Sequence, residues 1–169
     1  MTSDEALMLA FQRGSHDAFD ELFARYRQPL YGYFRRRLAS RERAEDLTQE
    51  TFLAVLRATE RYEPRALVRT YLYGIAIKLV AAERRKLAHS DAQADQVCDP
   101  RADETLWVRQ ALDRLEPAER EILMLREYEQ LSYAEIAQLL RLPLNTVRTR
   151  LFRSRLALKG YLEPASNEA

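Results

Sequence analysis

The sequence predicts an all-α fold: two small helical domains joined by a flexible linker, the second containing a helix-turn-helix. Three observations carry this. Apolar residues recur at helical spacing through nearly every segment, strand-like alternation is absent, and the 169 residues include only four glycines. One stretch, Leu87 to Asp103, is polar, acidic and aperiodic, and it divides the chain. From Leu131 to Lys159 a capped short helix, a proline break and a basic helix follow one another.

Taken in order, Ser3 is placed to cap a helix through Arg13 that Gly14 ends. Ser15 caps the next, with Phe19, Leu22, Phe23 and Tyr26 on its apolar side; Pro29 interrupts it, and Leu30 to Leu38 continue it after a kink. Ser40 caps a helix to about Thr59, in which Leu47, Thr51, Ala54 and Ala58 share the inward face. Pro64 stands where a first helical turn starts, predicting a long helix from there to about Lys86. Asp103 is placed to cap a helix over Leu106 to Leu115, and Pro117 opens another through Leu125. The expected divisions are 1–88 for the first domain, 89–104 for the linker, 105–163 for the second domain and 164–169 for a frayed tail.

Composition narrows the function classes. Net charge is +1, unevenly placed: residues 91–105 hold five acidic side chains against one basic, while residues 1–90 carry a net +4. A lone cysteine, Cys98, permits neither an internal disulfide nor a thiolate zinc cage, which points to a reducing cytoplasm. His16 and His89 have no ligand-like spacing around them, so no metal or cofactor is expected. No apolar run approaches membrane-span length and no signal-peptide core opens the chain. A cytoplasmic protein without membrane insertion is expected.

Three segments carry chemistry. In AEDLTQETFLAVL, Asp46, Gln49, Glu50 and Leu53 line up at i, i+3, i+4 and i+7. An acidic and amide stripe enclosing a leucine suits docking of a basic helical partner; a solvated helix face is the plainer reading. No histidine, nucleophile or ligand set accompanies these carboxylates, so catalysis is discounted. In RYEPRALVRTYLYGIAIKLVAAERRK, Arg61, Arg65, Arg69, Lys78, Arg84, Arg85 and Lys86 alternate with Tyr62, Tyr71 and Tyr73. Cations beside aromatic rings suit single-stranded DNA, although half-buried core tyrosines with surface arginines would look the same.

In the third, Ser132 and Glu135 form a capping box, Pro143 breaks the helix and Asn145 is placed to cap the next one. Val147, Leu151, Ser154 and Leu158 share one face; Arg148, Thr149, Phe152 and Arg153 fall opposite, with Thr146 at the start and Arg150 and Arg155 at the flanks. Arg141 to Lys159 contains basic residues and no acidic ones, which fits phosphates and base edges. The plainer reading is a solvated basic helix near a chain end.

In this order and spacing, AEDLTQETF, the Tyr71 to Lys86 helix and LSYAEIAQLLRLPLNTVRTRLFRSR resemble the extracytoplasmic-function (ECF) class of bacterial sigma factors, which has only the domains sigma2 and sigma4. The resemblance covers about residues 4 to 163. It implies binding of core RNA polymerase through Asp46, Gln49, Glu50 and Leu53. It implies opening and reading of the −10 element by Arg61, Arg65, Arg69, Tyr71 and Lys78. It implies reading of the −35 element of promoter DNA by Asn145, Thr146, Arg148, Thr149, Arg150, Phe152, Arg153 and Arg155. The linker would thread toward the polymerase active site, its acidity mimicking a nucleic-acid strand. An anti-sigma factor is a further partner the resemblance implies. A sigma-like mimic that sequesters an anti-sigma factor and a stand-alone helix-turn-helix regulator are the rival functions.

Three positions depart from the family pattern. Lys78 stands where an asparagine that helps hold a −10 base is usual, Ala82 replaces the usual aspartate, and Arg141 takes the place of the turn glycine, which loads that turn with some strain.

Overall fold

A computed structural model describes residues 1–90 and 102–163, with backbone alone for 102–105. The greater part of the expected linker, including Cys98, and the tail 164–169 lie outside the described residues. The helices form two compact units, α1 to α4 and α5 to α8, and no strand occurs among the described residues.

In the first unit, α1 (Asp4–Gln12) is capped by Ser3, whose hydroxyl accepts from the Ala6 N–H. Gly14, at φ 101°, then turns the chain so that the Ser15 N–H reaches the Ala10 carbonyl. Ser15 caps α2 (His16–Arg37). This helix runs through Pro29 where the sequence suggested an interruption. Pro29 is exposed, so the backbone bond it forfeits lies on the water side, while buried Tyr26, Leu30, Tyr33 and Phe34 clamp both halves to the core.

Ser40 caps α3 (Arg41–Ala58), which passes into a 3₁₀ turn at Thr59–Arg61. Its inward face is Ala44, Leu47, Thr48, Thr51, Phe52 and Val55; Ala54 and Ala58, expected there, are half-buried at its edge. The fourth helix, α4, spans Val68–His89, so Pro64 does not begin it and Lys86 does not end it. Residues 62–67 form a loop instead, because the helix start is fixed by a tertiary bond: the Val68 N–H donates to Glu5 Oε1 on α1 at 3.0 Å. Leu67, at the cap position, has no side-chain acceptor to offer.

The second unit comprises α5 (Ala102–Asp113), α6 (Pro117–Glu127), α7 (Tyr133–Leu140) and α8 (Leu144–Leu162). Asp103 lies inside α5 rather than capping it. The capping box opens α7 as expected: Ser132 Oγ accepts from the Glu135 N–H at 3.1 Å and Glu135 returns an acceptor to the Ser132 N–H at 2.6 Å. Arg141 takes the left-handed conformation, φ 55° and ψ 47°, and turns the chain in place of a glycine. Asn145 is not the cap of α8. The Pro143 carbonyl accepts from both Thr146 and Val147, so the helix starts at Leu144, with the fixed φ of Pro143 leading into it. Ile122, Leu125, Leu131, Ile136, Val147 and Leu151 are fully buried and seat α8 on α6 and α7.

Candidate nucleic-acid and protein interfaces

On α3 the stripe points outward. Asp46, Gln49, Glu50 and Leu53 are all exposed, and the neighbouring Leu56 extends the apolar part of the patch. The sequence reading missed Leu56, although its i, i+3 spacing from Leu53 was the signal. Asp46 is held 3.1 Å from Arg43, which in turn reaches across to Glu83 on α4. The stripe is therefore set on an element whose rotation is fixed from behind.

The interleaved segment separates into core and surface. Tyr73 is buried, its ring 5.5 Å from that of Tyr33, and Tyr62 is buried edge-on to Tyr71 at 5.5 Å. Only Tyr71 of the three keeps part of its ring at the surface, and burial raises its phenol pKa. Arg61 and Arg65 are exposed on the loop, Arg65 pairing with Glu63 at 2.8 Å. Arg69 is half-buried, close enough to Tyr26 for its charge to act on that phenol. Lys78 is exposed on the face that Tyr71, Ile75 and Ala82 also border, and Arg84, Arg85 and Lys86 extend the cationic surface toward the end of α4. The plain reading of the tyrosines thus holds for Tyr62 and Tyr73. Tyr71 stays half-buried, and Arg61, Arg65 and Lys78 remain exposed.

On α8 the two faces separate as expected. Val147, Leu151 and Ser154 are buried and Leu158 is half-buried. The Ser154 hydroxyl lies 3.1 Å from the Glu119 carbonyl of α6. Opposite, Arg148, Thr149 and Arg153 are exposed and Phe152 is 68% exposed, an aromatic ring left in water without a covering residue. Asn145 is exposed and its carbonyl accepts from the Thr149 hydroxyl at 2.9 Å; Thr146 and Arg150 are half-buried. Arg155 differs from its neighbours, since Glu127 on α6 takes its Nη2 at 2.7 Å and its Nε at 3.2 Å. No sequence signal at Arg155 announces that partner. Among the described residues no group of acidic, histidine or cysteine side chains could hold a metal, and no helix is long and apolar enough to cross a membrane.

Two family models match this chain: Sigma-70 region 2 over residues 22–90 and Sigma-70 region 4 over residues 105–158. It is 32% identical to the RNA polymerase sigma-H factor of Pseudomonas aeruginosa, across 98% of this chain and 97% of that protein. It is 31% identical to the RNA polymerase sigma factor YlaC of Bacillus subtilis, across 90% and 96%. Among solved structures, CnrH in complex with the cytosolic domain of CnrY superposes with a TM-score of 0.79 at 25% identity, covering 98% of this chain and 100% of that one. The sigma factor RpoE of Bartonella quintana, in complex with the anti-sigma factor NepR, shares the fold with a TM-score of 0.68 at 19% identity over 85% and 96%. With the capping box, the turn at Arg141 and the basic face of α8 in the matched positions, the chain belongs to the extracytoplasmic-function class of the sigma-70 family of RNA polymerase sigma factors.

Proposed function

We propose that the division of labour within this sigma factor follows its three surfaces. Asp46, Gln49, Glu50 and Leu53 dock on core RNA polymerase. Arg61, Arg65, Arg69, Tyr71 and Lys78 engage the −10 element as a single strand. The outward face of α8 reads the −35 element in the major groove, with Asn145, Thr146, Arg148, Thr149, Arg150, Phe152, Arg153 and Arg155 as its contact set. The observation that carries the reading is α8 itself: a helix seated on α6 and α7 whose outward face presents Arg148 and Arg153, with no acidic residue between Leu144 and Leu162.

In this reading the chain contributes no catalytic group. It supplies placement and strand separation while polymerase performs the chemistry, and it works in the cytoplasm. The connecting linker, expected at 89–104, runs between α4, which extends to His89, and α5, which begins at Ala102. CnrH was solved with the cytosolic domain of CnrY bound and RpoE with the anti-sigma factor NepR, and we extend binding of an anti-sigma factor to this chain.

Transcription from a randomised promoter library with purified core polymerase tests the whole reading. Selection of promoters sharing two elements, dependent on this chain, is the expected result. Equal output with and without it would leave a sequestering mimic as the better account.

A further inference from the structure

The loop that precedes α4 is held at both of its ends by one helix remote in sequence. Gln12, at the end of α1, donates through Nε2 to the Thr59 carbonyl at 2.6 Å and to the Tyr62 carbonyl at 2.7 Å. Two carbonyl acceptors require a group with two N–H bonds, which among uncharged side chains is an amide. Glu5, two turns earlier on the same face of α1, accepts the Val68 N–H at 3.0 Å and supplies the acidic group that the first turn of α4 lacks. Glu5 is also near enough to Tyr62 for its charge to raise that phenol's pKa, after burial.

Between these anchors the loop has few ties of its own. The Arg65 N–H reaches the Glu63 carbonyl at 2.8 Å and the Tyr62 hydroxyl reaches the Ala66 carbonyl at 3.3 Å. Its outward side chains, Arg61, Arg65 and Leu67, extend into water. A loop that captures an unstacked base must present donors and apolar surface in one arrangement before the base arrives; otherwise the ordering cost is met on binding. α1 provides that arrangement through Gln12 and Glu5, which lie outside the residues assigned to −10 contact.

We propose that Gln12 and Glu5 are positioning residues for −10 recognition, splinting the loop at Thr59–Tyr62 and at Val68. The inference rests on the reading of this loop as part of the −10 contact surface. A purely structural role for α1 would alter global stability; the splint alters loop order and −10 selectivity in particular.

The test uses the full chain with core polymerase, on promoter pairs that differ only at −10 or only at −35, together with amide hydrogen exchange of the free chain. Gln12→Met keeps the length and removes both donors. Glu5→Leu removes the acceptor, whereas Glu5→Gln retains an acceptor oxygen. In Gln12→Met and Glu5→Leu the amides of residues 61–68 should exchange about tenfold faster, the scale of one or two lost hydrogen bonds. The −10 discrimination should narrow several-fold with the −35 discrimination unchanged, and Glu5→Gln should stay near the parent. The Glu5→Leu and Glu5→Gln pair decides the matter if Gln12→Met lowers the global melting temperature. Parental loop exchange, or parental −10 discrimination, in both loss variants overturns the inference. Arg61→Ala with Arg65→Ala separates the two levels. If that variant leaves −10 discrimination intact, the loop reading falls and the inference with it; if it narrows −10 discrimination while the α1 variants do not, the inference alone falls.

Discussion

Arg43 on α3 grips Glu83 on α4 with two parallel bonds, Nε to Oε1 at 2.8 Å and Nη2 to Oε2 at 2.7 Å. Glu83 is 6% exposed and is the one carboxylate of α4, while Arg43 keeps a third of its side chain in water and also meets Asp46. The pair fixes the rotation of α3, and so the direction in which the Asp46 to Leu53 stripe faces.

The two partners are not equivalent, and their removal should differ. Arg43→Ala strands a buried carboxylate and should cost about 2–3 kcal/mol; Glu83→Ala leaves a guanidinium that can turn to Asp46 and water, at about 1 kcal/mol. The Arg43 hydrogen bonds, outweighing burial, hold the Glu83 carboxyl below its ordinary value of 4.5. A depressed folded pKa gives stability that is present above 4.5 and lost as pH falls through the lower, folded value. In Arg43→Ala burial dominates and the carboxyl rises, so its contribution is present at low pH and lost as pH increases. Thermal melts across pH 3 to 7 check both the ranking and this reversal of sign. Equal costs with parallel pH profiles would remove the pair from its fixing role.

Legibility in the sequence followed the range of each interaction. The caps at Ser3, Ser15, Ser40 and Ser132 were all readable, since each hydroxyl meets an N–H three residues on. The turn at Arg141 was readable only through the family resemblance, because an arginine carries no local signal for the left-handed region. Pro64 misled because the true start of α4 is set by Glu5, 63 residues away, and no local pattern encodes that. Pro29 misled because propensity was overridden by burial on the far side of α2. Periodicity identified the outward faces of α3 and α8, but it could not divide Tyr71 from Tyr73 or foresee that Glu127 holds Arg155. Both depend on which neighbour arrives.

Arg141 is a source of stored strain. A non-glycine residue in the left-handed region costs about 1–2 kcal/mol, offset in part by the greater freedom glycine has in the unfolded chain. Arg141→Gly should therefore stabilise the second unit by roughly 0.5–1 kcal/mol, and Arg141→Val, with its branched Cβ, should destabilise it by more. Denaturant unfolding of the full chain, followed by probes in α7 and α8, reports the result; no gain from glycine would mean the turn relaxes elsewhere.

Reversing Asp46 and Glu50 together to lysine should abolish co-purification with core polymerase while leaving the fold intact. Both are exposed, so the change in stability should be about 1 kcal/mol or less each, Asp46 losing its contact with Arg43. Retained binding by the folded double variant would remove the stripe from the docking surface.

Lys78 projects from α4 as an exposed ammonium, a point charge with donors and no acceptor. Such a group favours phosphates over a chosen base edge, so the parent protein should tolerate substitution within the −10 element. Lys78→Asn, which offers both donor and acceptor, should sharpen the preference. Library selection with the two proteins compares them, and an already narrow preference in the parent would count against this role.

The recognition helix allows the sharpest division. Arg148 lies in its first two turns, exposed and without an ion pair among the described residues, whereas Arg155 is engaged by Glu127 two turns later. Base reading needs a free, forward guanidinium, and one bidentate contact to guanine gives about 1–3 kcal/mol of discrimination. Arg148→Ala should thus reduce transcription most at promoters with the preferred −35 element and narrow their advantage over mutated ones. Arg155 is restrained by a counter-charge, which both aims its side chain and lowers its pull on a phosphate. Arg155→Ala should weaken binding evenly across sequences and reduce the salt slope by about one phosphate's share, roughly 0.9. Glu127→Gln should act oppositely, releasing Arg155 and strengthening binding to matched and mismatched sites alike, with a steeper salt dependence. Titrations on both promoter types over a salt series distinguish the three variants. If Glu127→Gln leaves affinity and salt slope unchanged, Arg155 serves to join α8 to α6 and does not reach the DNA backbone.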